Sequence, residues 1–163
     1  AILIGIDGYC SSPLCSCATD IEKMKNFLTV NLGVPKDHIQ RDYDTTAPPT
    51  HKNIVEMLLN ISTNPKIQHG DNIIIYFSGH GSSYFCLDFY PQGSLEATGT
   101  VEALCPIDHS PCDSSNISVP NISDRELNII LSEISHTKGH HITCILDCCH
   151  SSGVARGPRT RWY

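Results

Sequence analysis

The chain has 163 residues, 40% hydrophobic and 17% charged, which is the length of one domain and enough to bury about two-thirds of the unfolded surface. Eleven Lys and Arg against 17 Asp and Glu give a net charge of −6, which argues against a nucleic-acid backbone or an anionic membrane as the main partner. No apolar run approaches the roughly 18 residues that a membrane span needs, and disorder is not expected at this composition.

Ala1–Ile6 (AILIGI) is a continuous apolar run closed by Asp7-Gly8, the pattern of a buried strand and a turn. Ile21, Met24, Phe27, Leu28 and Leu32 recur at three- and four-residue steps, predicting an amphipathic helix over Cys17–Leu32 that stops at Gly33. A short strand is expected at Ile39–Tyr43. A second helix over Thr50–Ile61 carries Ile54, Val55, Leu58 and Leu59 as one stripe. Asp71–Phe77 (DNIIIYF) reads as another buried strand. Residues 82–122 hold four prolines and one short apolar stretch, Val101–Ile107, and are expected to be a functional loop without elements of their own. Ser123-x-x-Glu126 is a capping box that opens a third helix to Ile134, and His141–Leu146 (HITCIL) is the last strand. Arg156–Tyr163 is basic and reads as a linker after a domain spanning 1–155. Strands alternating with amphipathic helices define an α/β fold, a three-layer sandwich with a mainly parallel sheet and helices on both faces.

Ligands of such sheets gather at the carboxyl ends of the strands. There the third strand runs into Ser78-Gly79-His80-Gly81 and the last into Asp147-Cys148-Cys149-His150-Ser151. If the two strands are adjacent, an imidazole and a thiol share one rim. The imidazole can take the thiol's proton and return it to a leaving amine, while the Gly81 N–H and that of the nucleophile can form an oxyanion hole. The plainer readings are a turn histidine between glycines and cysteines that act as inert small hydrophobes, as Cys144 does in mid-strand. Zinc is disfavoured, because adjacent cysteines cannot easily both reach one tetrahedral ion. The nine cysteines, an odd number without paired CxxC motifs, point to free thiols in a reduced compartment, the cytoplasm or the nucleus. Three Asn-x-Ser sequons, at Asn60, Asn116 and Asn121, read as chance matches.

The strings YFSGHG and DCCHSSG closely resemble those of the metacaspases, caspase-like cysteine peptidases of peptidase family C14. Leu14–Asp20 (LCSCATD), Glu102–Asp108 (EALCPID) and Ile122–Leu127 (ISDREL) follow in family order, so the likeness runs through the chain as the large-subunit (p20-like) part, most like fungal type I members. The resemblance implies a caspase-like fold and a zymogen-derived cysteine endopeptidase linked to apoptosis. It makes His80 the general base and acid and Cys149 the nucleophile in place of Cys148. His80 and Cys149 are 69 residues apart, against about 50 in the caspase pattern, a difference the 82–122 segment can absorb.

The resemblance also implies a substrate slot. Asp20 matches the family's acidic pocket residue, and residues two apart on a strand face the same way, which puts Ser78 on the side of His80 and Asp147 on the side of Cys149. Two carboxylates and a hydroxyl favour Lys or Arg before the scissile bond. Without the resemblance, Asp20 is a first-turn acid facing the helix dipole and Asp147 a solvated strand-end carboxylate. Ser16 stands where the family has Gly, and Ser152 where it has the Gly of Cys-His-Ser-Gly. No cofactor is required for the chemistry. Calcium activation, known for many type I members, is not expected, because Arg156 replaces an acid and residues 82–100 lack an acid-rich stretch; no metal ligand is assigned beyond the retained Asp124. The expected partners are protein or peptide substrates and a small-subunit region of the same chain, with Arg156, Arg159 and Arg161 as candidate self-cleavage sites. The competing reading is a catalytically weak caspase-like module that binds proteins.

Overall fold

Strand β1 (Ile2–Gly5) is buried along its whole length, because the sheet it belongs to is covered on both faces where β1 lies. The computed structural model describes residues 1–10, 12–41, 47–85, 100–109 and 119–149. Its main sheet has four parallel strands in the order β2 (Gln40–Arg41), β1, β3 (Ile73–Ser78), β7 (Ile142–Asp147). On one face, α2 (His51–Thr63) and α3 (Asp124–Lys138) bring Ile54, Leu58, Ile61, Leu127, Ile130 and Ile134 onto Ile2, Ile4, Ile75 and Phe77. On the other, α1 (Cys17–Asn26) continues as a π-helical segment, Phe27–Asn31, and packs Ile21 and Leu28 on Leu3 and Tyr76. This is the expected three-layer α/β sandwich.

The helix boundaries follow the caps. Thr50 Oγ1 accepts the Asn53 N–H at 3.3 Å and Ser123 Oγ accepts the Glu126 N–H at 3.1 Å, so each helix begins one residue after its cap. Gly5 lets α1 lie directly on β1: a Cβ there would meet Ile21 Cγ1 at 2.5 Å and the Cys17 carbonyl at 3.2 Å. That close approach brings the first turn of α1 to the strand ends.

Among the described residues, the segment expected to be without elements carries strands. β4 (Gly81–Phe85), β5 (Thr100–Leu104) and β6 (Ile122–Ser123) form a small antiparallel sheet, with Val101, Ala103, Leu104 and Ile122 buried. β4 reads Gly-Ser-Ser-Tyr-Phe and has no apolar alternation to announce it; pairing with β5 makes it a strand. The expected strand at Ile39–Tyr43 is described only as Gln40–Arg41, and the linker over 156–163 lies outside the described residues. Among the described residues no helix is long and apolar enough to cross a membrane.

Candidate active site

β3 and β7 pair in parallel from Ile73↔Ile142 to Ser78↔Asp147, and Gly79 N–H extends the ladder to the Asp147 carbonyl at 3.3 Å. His80 and Cys149 each lie two residues past the last pair, so they leave the sheet at one rim. Gly81 abuts the second segment: a Cβ there would collide with the Cys149 carbonyl and sit 3.3 Å from Cys148 Sγ.

Strand alternation separates the adjacent cysteines. Ile142, Cys144, Leu146 and Cys148 face the α2–α3 core, whereas Thr143, Ile145, Asp147 and Cys149 face outward and are exposed. Burial pushes the Cys148 thiol up to about 12, with the charge of neighbouring groups adding to it, and burial raises Cys144 and Cys105 to about 11. These thiols stay protonated and inert, while Cys149 is open to solvent.

The imidazole of His80 is held from the segment between β1 and α1. Its Nε2 lies 2.7 Å from the Ser12 carbonyl oxygen. A carbonyl can only accept, so Nε2 carries the proton and the lone pair of the neutral ring is on Nδ1. Ser12 reaches this position with φ 63°, the left-handed region. Tyr9 lies beside the ring, with centroids 4.5 Å apart. The segment is tied at Asp7, whose backbone carbonyl accepts the N–H groups of Tyr9 (3.0 Å) and Leu14 (2.9 Å). The Asp7 carboxylate accepts the Cys17 and Ala18 N–H groups at 2.9 and 3.0 Å, capping α1. Burial alone would raise the Asp7 carboxyl, but these donors outweigh it and hold it below its ordinary value.

On the α1 face, Tyr76 joins the three residues expected to line the substrate slot. Its hydroxyl donates to Asp147 Oδ2 at 3.1 Å and interacts with the hydroxyl of buried Ser78; burial first, then Asp147, pushes the phenol up to about 12, and the charge of Asp20 adds to this. Asp20 is partly buried and is paired with Lys23 Nζ at 3.0 Å. The Cys17 thiol, raised by burial, reaches Ser78 and Asp7. Ser78 and Asp147 thus meet Tyr76 below the rim that carries His80 and Cys149, and Asp20 acts on the phenol through its charge. Sequence reasoning missed Tyr76, although its position two residues before Ser78 on the same strand was a usable signal. It also missed Tyr9, Ser12 and Asp7, which leave no periodic signature.

Among the described residues no group of three or more His, Cys, Asp or Glu is arranged to hold a metal ion. Asp124 accepts the Arg125 N–H at 2.8 Å, and burial raises its carboxyl. Arg156 lies outside the described residues. Cys10 is disulfide-bonded, which departs from the expectation of free thiols throughout; Cys15, Cys17, Cys105, Cys144, Cys148 and Cys149 are free.

A parallel sheet that brings a histidine and an exposed cysteine to adjacent strand ends is the arrangement of a caspase-like domain. Residues 1–158 match the family described as metacaspase, peptidase C14 domain, and the chain belongs to that family. It is 30% identical over 159 residues to Metacaspase III c of Phaeodactylum tricornutum, covering 94% of this chain and 43% of that protein. It is 29% identical over 160 residues to Metacaspase-3 of Arabidopsis thaliana, with 94% and 40% covered. For Metacaspase-1 of Saccharomyces cerevisiae the identity is 27% over 165 residues, with 98% and 35% covered. The chain thus spans less than half the length of these relatives. A crystal structure of a Geobacter sulfurreducens protein shares the fold, with TM-score 0.56 and 16% identity over 92% of this chain and 49% of that one.

Proposed function

We propose that this domain is the catalytic part of a cysteine endopeptidase that cleaves after Arg or Lys. The observation that carries the reading is the pairing of β3 with β7, which delivers His80 and an exposed Cys149 to one rim while turning Cys148 inward. In this mechanism His80 Nδ1 takes the proton of the Cys149 thiol as Sγ attacks the scissile carbonyl carbon. The oxyanion of the tetrahedral intermediate is received by the N–H groups of Gly81 and Cys149. Collapse breaks the C–N bond, His80 returns the proton to the departing amine, and a thioester on Cys149 remains. Water then attacks the thioester with His80 as base, releasing the carboxylic acid and restoring the thiol.

The cation of a Lys or Arg side chain is received between Asp20 and Asp147, with the Ser78 hydroxyl in the wall and Tyr76 fixing the Asp147 carboxylate. A guanidinium can bind these oxygens in bidentate fashion. A small-subunit region of the same chain completes the cleft in this proposal, and calcium is not needed for the chemistry.

The test is hydrolysis of matched Arg and Asp fluorogenic peptides by the full chain, with and without calcium, beside Cys149→Ala. Cleavage of the Arg peptide alone, abolished in the variant, is the expected result. Folded protein that cleaves neither peptide under either condition would overturn the peptidase in favour of a protein-binding module.

A further inference from the structure

Tyr9 stands in the segment between β1 and α1 and is only 3% exposed. Its hydroxyl accepts the His80 backbone N–H at 2.9 Å and donates to the Cys105 carbonyl at 2.8 Å. The Cys105 N–H in turn donates to the His80 carbonyl at 3.0 Å. One side chain thus locks the backbone of His80 to the segment that follows β5. Burial raises the phenol well above its ordinary value, so the hydroxyl keeps the proton this bridge needs.

The ring of Tyr9 serves the same residue. It lies 4.5 Å from the imidazole, tilted by 50°, and is backed edge-on by His109 at 5.6 Å. Three residues further on, the Ser12 carbonyl holds Nε2. The imidazole is therefore fixed at its backbone, its face and one ring nitrogen from a single stretch of chain.

We infer that Tyr9 is a positioning residue for His80, holding the base in register with Cys149 through its hydroxyl bridge and through the ring that lies beside the imidazole. The inference rests on the reading of His80 and Cys149 as a dyad. It assigns Tyr9 no contact with the substrate.

The experiment uses the full chain and its Tyr9→Phe and Tyr9→Leu variants. It measures kcat and KM on the Arg peptide and, by peptide mapping, the iodoacetamide labelling rates of Cys149 and of exposed Cys15 in one sample. KM should hold within about twofold, because the Asp20–Ser78–Asp147 slot is untouched. In Tyr9→Phe kcat should fall on the order of tenfold as the base loses its fixed position, and further in Tyr9→Leu. The Cys149-to-Cys15 labelling ratio should fall in parallel while buried Cys105 and half-buried Cys144 stay slow, a pattern that mere loss of structure does not produce. If Tyr9→Leu unfolds and all thiols label quickly, Tyr9→Phe decides. Wild-type kcat and labelling ratio in Tyr9→Phe with an active parent would overturn the inference alone. A parent that neither hydrolyses peptide nor labels Cys149 faster than Cys15 would overturn the dyad, and the inference with it.

Discussion

His80 Nε2 lies 2.7 Å from the carbonyl oxygen of Ser12, and this contact decides which ring nitrogen can serve as base. The carbonyl belongs to a residue at φ 63°, a conformation open to glycine and closed to proline. Ser12→Gly should therefore keep kcat within about twofold, because the backbone conformation and its carbonyl are retained. Ser12→Pro fixes φ near −65° and turns the carbonyl away, and kcat should fall on the order of a hundredfold with little change in KM. Steady-state kinetics on the Arg peptide check both; a proline variant with normal kcat would remove Ser12 from the account.

The contact between Gly81 and Cys149 makes a second prediction. A methyl group at position 81 collides with the Cys149 carbonyl, so Gly81→Ala should lower kcat/KM at least on the order of a hundredfold by displacing the nucleophile segment. Cys148→Ala should keep most activity and cost roughly 1 kcal/mol of stability, since that thiol is a half-buried packing group. Cys149→Ala should abolish turnover while leaving the melting temperature nearly unchanged. Reversed behaviour of the two cysteine variants would reassign the nucleophile.

How far the site was legible in the sequence depends on where each signal resides. The stripe Ile54, Val55, Leu58 and Leu59 and the run Asp71–Phe77 are local patterns, and both became the elements they predict, although Ile61 and not the exposed Leu59 completes the buried face of α2. His80 and the two cysteines could be placed because strand ends are where a parallel sheet gathers its chemistry. β4 was not legible, because it owes its conformation to β5, about twenty residues away in sequence. Ser12 and His80 are 68 residues apart and meet through a backbone carbonyl, an atom every residue carries. No residue type marks such a partner. Tyr76 differs: it shares a strand face with Ser78, and period-two reasoning extended by one step would have found it.

Lys23 supplies a third prediction, because its ammonium already occupies Asp20 at 3.0 Å. Lys23 is 71% exposed, and such pairs contribute about 0.2–1 kcal/mol. Under the proposed specificity a substrate cation displaces it, so Lys23→Ala should lower KM for Arg peptides by at most about fivefold without changing kcat. Asp147→Asn removes a charge that Tyr76 holds in place, and kcat/KM for Arg peptides should drop about 10- to 100-fold. An Asp147→Asn enzyme with full preference for Arg would show that the specificity slot lies elsewhere.

The cysteines can be sorted by labelling the protein before any reductant is added. Exposed Cys15 and Cys149 should react with iodoacetamide, buried Cys17 and Cys105 should not, and Cys10 should stay blocked until its disulfide is reduced. Mass mapping before and after a dithiol distinguishes the three groups. Labelling of Cys10 in the unreduced, folded protein would contradict the disulfide.

Asp7 links stability to pH through the same segment that holds His80. Its carboxylate receives the N–H groups of Cys17 and Ala18, which outweigh burial and hold its carboxyl below the ordinary value of 3.8. A depressed folded-state pKa means that, as pH falls through the ordinary carboxylate range, the unfolded chain binds its proton first. The contribution of Asp7 is thus fully present above roughly pH 5 and is lost as acid approaches the folded-state pKa. Asp7→Asn keeps one acceptor but loses the charge facing the first turn of α1, and should cost about 1 kcal/mol near neutral pH. The difference in unfolding free energy between the two proteins, measured by urea titration at stepped pH, should shrink steadily below pH 4. Because the Asp7 carbonyl also ties Tyr9 and Leu14, a variant that disturbs the backbone here should lose kcat as well. Asp7→Asn, which leaves that carbonyl in place, should keep kcat within about threefold. A stability difference that does not change with pH would show that the carboxylate charge contributes nothing to the cap.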